Sequence, residues 1–188
     1  MSTFWTNNTL EPKRSFRFLM EFAGPETGAT IASYYVKSVS KPNFQMEGGP
    51  QVKYIQHTFK YPGRVMWQDI TVTIVDPASP DAAAVLMNVL AGSGYHKPDT
   101  DLNSRQSISK FKANASLGGI KLRQIDDLGN DIEEWTLWNP YFSQVNFGEL
   151  SYDSDDIVNY QLTIVYDYAT MLNSVSATGV APGVRTEG

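Results

Sequence analysis

The chain has 188 residues, of which 41% are hydrophobic, 12% aromatic and 19% charged; this suits one domain with a substantial core and argues against global disorder. Its formal net charge of -5 disfavours a protein that grips phosphate backbones, which takes clustered Lys and Arg. The absence of cysteine removes disulfides, thiolate nucleophiles, zinc-thiolate sites and iron–sulfur clusters.

The start of the chain, Met1 to Arg14, lacks the basic opening, apolar stretch and small-residue cleavage site of an export signal. From Ser15 to Ala23, Phe16, Phe18, Met20 and Phe22 alternate with Arg17, Leu19 and Glu21, the period of a strand with one buried face. Ser33 to Ser40 reads as a second strand, stopped by Lys41-Pro42. Gln51 to Tyr61 alternates more loosely, and Pro62-Gly63 predicts the turn that ends it. Asp69 to Val75 sets Ile70, Val72 and Ile74 against Thr71 and Thr73, all β-branched residues that suit a pleated surface.

A helix interrupts the strands. Ser79 is placed to cap it, Pro80 suits the first helical position, Asp81 favours the positive end, and Gly92 follows. Ala82, Val85, Leu86, Val89 and Leu90 fall on one stripe that must pack on something, and core packing accounts for it. This apolar run, broken by Asn88, is too short for a bilayer core of about 30 Å, so the expectation is a chain that works in solution.

Gly92 to Asn114 reads as a long polar loop, a candidate contact. Gly119 to Ile125 and Ile132 to Leu137 flank Asp126-Asp127-Leu128-Gly129-Asn130, which predicts a hairpin. Phe142 to Leu150 and Ile157 to Tyr168 complete the series, the latter with Val158, Tyr160, Leu162, Ile164 and Tyr166 in phase. About eight strands and one helix predict a mainly β fold, an antiparallel β-sandwich or barrel with one flanking α-helix.

Chemistry is sparse. The two histidines, His57 and His96, fall in different segments, so a zinc site would have to borrow carboxylates. Asp153, Asp155 and Asp156 fail the calcium-loop spacing, because Ile157 takes a ligand position and no glycine follows; a solvated turn is the better reading. The neighbours Asp126/Asp127 and Glu133/Glu134 point to opposite faces of their elements and read as surface charge. Gly92-Ser93-Gly94 follows a helix where a phosphate loop would precede one. The expectation is therefore no enzyme, no catalytic residue, no metal and no cofactor.

Contact is the stronger theme. Four tryptophans, ten tyrosines and nine phenylalanines exceed what a small β core needs, and aromatic residues concentrate where proteins meet. The ends, Met1 to Arg14 and Asn173 to Gly188, have little of their own to bury, so neighbouring copies or partner proteins are expected to hold them. The domain reading is an arm at 1–14, a β domain at 15–169 and an extension at 170–188. A β-sandwich binding module for carbohydrate or another particle component is the alternative.

Over residues 15 to 168 the chain resembles the tail-tube proteins of contractile-tailed bacteriophages. The resemblance is carried by SFRFLMEF, YYVKSVSKP, YPGRVMWQDITVTIVD, the helix before AGSG, EEWTLWNPYFSQVNFGELSYDSDD and IVNYQLTIVYDYA, in that order. It implies a tail-tube-like β fold whose copies join into rings, hexameric in that family, that stack into a tube for genome ejection. The chain would then be a structural virion protein of the tail, assembled in the host cytoplasm. Implied partners are further copies, tail sheath, baseplate or tube-initiator and tail-terminator proteins, with tape-measure protein and DNA in the lumen and no membrane. A tube initiator or a secretion-system tube protein would share the fold. By the same resemblance, the long connection around Lys41 to Arg64 and the polar loop around Gly92 to Gln106 reach adjacent subunits, with Phe44, Tyr61, Arg64 and Trp67 in the first and Tyr95, His96 and Arg105 in the second as the expected subunit contacts.

Overall fold

The computed structural model describes residues 12–23, 35–79, 81–98, 105, 107–153 and 155–173. The ends beyond them, expected to be held by neighbours, lie outside the described residues. In chain order the elements are β1 (Phe18–Ala23), β2 (Val36–Val39), β3 (Asn43–Tyr54), β4 (His57–Gln68), β5 (Ile70–Val75), α1 (Ala82–Gly92), α2 (Lys110–Leu117), β6 (Gly119–Ile125), β7 (Asp131–Trp138), β8 (Tyr141–Asn146), β9 (Asn159–Val165) and β10 (Tyr168–Asn173).

Two four-stranded sheets, ordered β1-β6-β7-β10 and β2-β5-β9-β8, form the body, and β3 and β4 form a separate two-stranded ribbon. Every pairing is antiparallel. The alternation read in the sequence sets the inward faces. Ile70, Val72 and Ile74 of β5 stand opposite Ile164, Leu162 and Tyr160 of β9, while Met20 and Phe22 of β1 stand opposite Leu122 and Ile120 of β6. All ten side chains are buried in one cluster that draws on both sheets. A fully buried aliphatic or aromatic side chain contributes about 1.5–3 kcal/mol, so this in-phase pairing is what joins the sheets.

The stripe on α1 packs onto the same cluster through Ala82, Leu86 and Val89. Its cap differs from the expectation: the Asp81 carboxylate accepts from the Ala83 and Ala84 amides, so Asp81 takes the capping role assigned to Ser79. Gly92 is the last helical residue, and the turn that follows uses Gly94 at φ 101°.

Four other expectations change. The ribbon turns at Ile55 and Gln56, and Pro62-Gly63 lies inside β4. A two-stranded ribbon consists only of edge strands, and Pro62 sits beside a shift in register opposite Gly48, where a missing amide donor costs little. The polar loop contains a second helix, α2, which starts at a Ser109 cap and stops at Gly118 with φ 74°. The closing strand breaks at Tyr166-Asp167, so that β9 serves one sheet and β10 the other; sheet structure thereby continues past Ala169. Finally, Glu133 is buried rather than surface charge, because two lysines and an indole satisfy it.

Candidate assembly interface

The ribbon of β3 and β4, each strand 12 residues long, reaches about 40 Å at the usual rise per residue. It is anchored at its root. Phe44 meets Trp67 edge to face at 5.5 Å, Trp67 meets Tyr166 at 6.0 Å, and Trp67 packs on the core. The root is also tied electrostatically. Lys41, just before β3, reaches both Gln124 at 2.7 Å and Glu133 at 2.9 Å, and Lys13 pairs with the same carboxylate. Burial alone would raise the Glu133 pKa; hydrogen bonds from Lys13, Lys41 and Trp135, with the Lys41 charge, outweigh it and hold the value near 2.

Beyond the root the ribbon leaves the body. Met46, Val65 and Met66 are all exposed, as are Val52, Tyr54, Phe59 and Tyr61 further out. Register places Val52 against Phe59 and Tyr54 against His57 on one face, and Gln51 against Lys60 and Lys53 against Thr58 on the other. The outer half thus has an apolar face and a basic one. Midway, a Cβ on Gly49 would come within 2.4 Å of the Tyr61 carbonyl oxygen, and one on Gly63 within 2.7 Å of the Glu47 carbonyl oxygen. The two backbones cross too closely there for any side chain.

An exposed apolar ribbon of this length is the main candidate contact surface among the described residues. Phe44 and Trp67 are brought together at its root, and Tyr61 and Arg64 are exposed along β4. Tyr95 and His96 are exposed after α1, and Arg105 is exposed between undescribed stretches. No ring contact or ion pair joins these three to the ribbon among the described residues. Met46, Val52, Tyr54, Ile55 and Phe59 lie within the expected contact stretch around Lys41 to Arg64 without being singled out there; the Val52/Tyr54 alternation is the available signal, but a strand with both faces in solvent has no buried phase to declare it.

Three further surfaces are open. Among the described residues each four-stranded sheet ends in unpaired edges, β1 and β10 in one and β2 and β8 in the other. On β10, Tyr168 stacks on Trp138 at 5.7 Å, while Met171 and Leu172 are exposed. An apolar groove of 530 Å³ runs between α1, α2 and β8, lined by Leu86, Leu90, Ile108, Val145 and Phe147 among others. At the start of α2, the Lys110 ammonium donates to the Asp167 carboxylate at 2.6 Å and the Asn139 amide donates to it at 2.7 Å, and together they hold the Asp167 carboxyl below its usual range. That clamp fixes α2 to the β9–β10 junction. The third surface is a cavity of 640 Å³ lined by residues 148–152 and 156–159. Among the described residues no three His, Asp or Glu side chains gather as a metal site would require.

No family model matches the chain, and no curated protein matches it in sequence. Solved structures do match in fold. A chain from the cryo-EM structure of the anti-feeding prophage cap, described as its tube-terminating cap, superposes with a TM-score of 0.62 at 17% identity, covering 88% of this chain and 93% of that one. A chain from the sheath/tube terminator of the extracellular contractile injection system PVC, in its extended state, gives 0.62 at 18% identity over 87% and 98%. A chain from the tail of an empty GTA particle, refined with C6 symmetry, gives 0.52 at 9% identity over 87% and 99%. Two packed antiparallel sheets, a long free ribbon and these superpositions together give the chain the tail-tube-like fold of phage tails and contractile injection systems.

Proposed function

We propose that the chain is a structural tube subunit, acting by assembly and not by catalysis: copies join into rings, six to a ring, and rings stack into the inner tube of a contractile tail. The observation that carries this reading is the β3–β4 ribbon, which exposes large apolar residues beyond its root while the body keeps a well-formed core. A monomer would leave that surface in water; stacked copies would cover it. The open sheet edges suit lateral joining in the same way. Sheath, baseplate and terminator proteins are the outer and terminal partners of such a tube. Its lumen would pass DNA during ejection, and a chain of net charge -5 suits that passage, since a basic wall would retain the phosphate backbone. The site of action is the tail of the particle, after assembly in the host cytoplasm.

A tube-ending role is the second reading, because two of the matched assemblies are described as a tube-terminating cap and a sheath/tube terminator. Negative-stain electron microscopy of the purified chain, alone over a range of concentrations and with a tail-initiation complex, decides between them. Hollow stacked rings are expected. Single rings that do not stack would favour the terminator, and persistent single particles under both conditions would refute both.

A further inference from the structure

The tip of the ribbon runs against local backbone preference. Tyr54 and His57 pair across a two-residue turn whose first residue, Ile55, has φ 52°. Glycine adopts that left-handed value freely, whereas a β-branched residue resists it. Packing within the chain does not compensate, because Ile55 is 85% exposed. A strained, exposed isoleucine where glycine would fit points to a contact outside the molecule.

Charge says what that contact is. The ribbon carries Glu47 against Lys53, Lys60 and Arg64, a net of +2 on a chain of net -5. None of these three cations has an ion-pair partner among the described residues. The opposite pattern lies along the 640 Å³ cavity. Glu149 and Asp156 are among its lining residues, Asp153 and Asp155 flank them in the chain with no Lys or Arg between Phe147 and Val158, and the lining Leu150 and Ile157 are exposed. Edge-to-face contact of Phe147 with Tyr160 at 5.2 Å ties the segment to the core, so the cavity is held in place at its entry.

Resting on the tube-subunit reading above, we propose that the ribbon tip of one copy seats in this acid-rimmed cavity of a second copy. Ile55 and Tyr54 lie against Leu150 and Ile157, and Lys53 and Lys60 face the carboxylates of Glu149 and Asp155. The contact is heterologous: each copy offers its own cavity to the next ribbon, so the same interface repeats without closing on a pair. Complementary charge sets orientation and rate of docking, and the desolvated apolar tip holds it.

The chain has no cysteine, which makes single-cysteine probes clean. Ile55→Cys mixed with Leu150→Cys is expected to give an oxidised dimer in assembled material, and Ile55→Cys mixed with Met87→Cys is not. Lys53→Glu/Lys60→Glu and Glu149→Lys/Asp155→Lys should each weaken assembly about tenfold, and the four changes combined in one chain should restore it. Ile55→Gly should raise the melting temperature of the monomer while weakening assembly, opposite signs that a merely structural role would not give. Assembled tubes with no 55–150 crosslink, or a charge swap that does not restore assembly, would overturn this acceptor and leave the tube reading standing. A wild-type chain that never assembles would overturn both.

Discussion

Glu133 shows how much one side chain can organise. It lies in β7 with its side chain 8% exposed and holds Lys13 and Lys41, so a single carboxylate ties the segment before β1 and the root of the ribbon to one sheet. Its pKa is depressed in the fold from 4.5 to about 2. A depressed carboxyl contributes stability that is fully present above its unfolded value and is lost as the pH falls through the folded one. The window is therefore pH 4.5 down to about 2, with a loss on the order of 3 kcal/mol. Glu133→Gln is expected to flatten that acid limb in denaturation titrations between pH 5 and 2 and to cost stability at pH 7. An unchanged limb would show that other groups carry it. Nothing in the sequence marks Glu133 apart from Glu134, which pairs with Lys121 on a more exposed face; the difference is made by Lys13 and Lys41, distant in sequence and invisible to a local pattern.

At the scale of elements, the sequence is legible where one face is buried. The strands around Met20, Val72, Ile120 and Leu162 announce their inward faces by alternation, and those residues are in the core. The ribbon and α2 escape the same reasoning for a shared reason: neither has a face with several buried residues in phase. Only Ser116 and Leu117 of α2 are buried, and the signal at hand was its Ser109 cap. The split between β9 and β10 escapes because Tyr166 continues the apolar phase of β9 while the chain crosses between sheets. The ribbon depends instead on backbone proximity. Gly49→Ala would push a methyl into the Tyr61 carbonyl, so the outer ribbon should lose its register. Because the ribbon stands outside the core, the melting temperature of the body should move little while assembly falls at least about tenfold. Hydrogen exchange is the check, with faster exchange confined to β3 and β4. Exchange spreading into β5 or β9 would contradict the separation of ribbon from body.

For the whole molecule, the fold class follows from the strands and from the order of segments shared with tail-tube proteins, and the two packed antiparallel sheets agree with it. The candidate interface was only half legible. Phe44, Tyr61, Arg64 and Trp67 belong to the ribbon, but its tip falls within a strand in the local pattern, because Pro62-Gly63 is a stronger local turn signal than Ile55-Gln56. Stacking as proposed depends on the ribbon, and removing it is the direct test. Replacing residues 46–65 with Asn-Gly would keep the Phe44–Trp67 root and close the ribbon with a favoured two-residue turn. Sedimentation velocity of this variant beside the wild-type chain is the measurement to make: the wild type is predicted to sediment as stacked oligomers and the shortened chain as folded species no larger than a single ring. Identical distributions for two folded proteins would contradict the account.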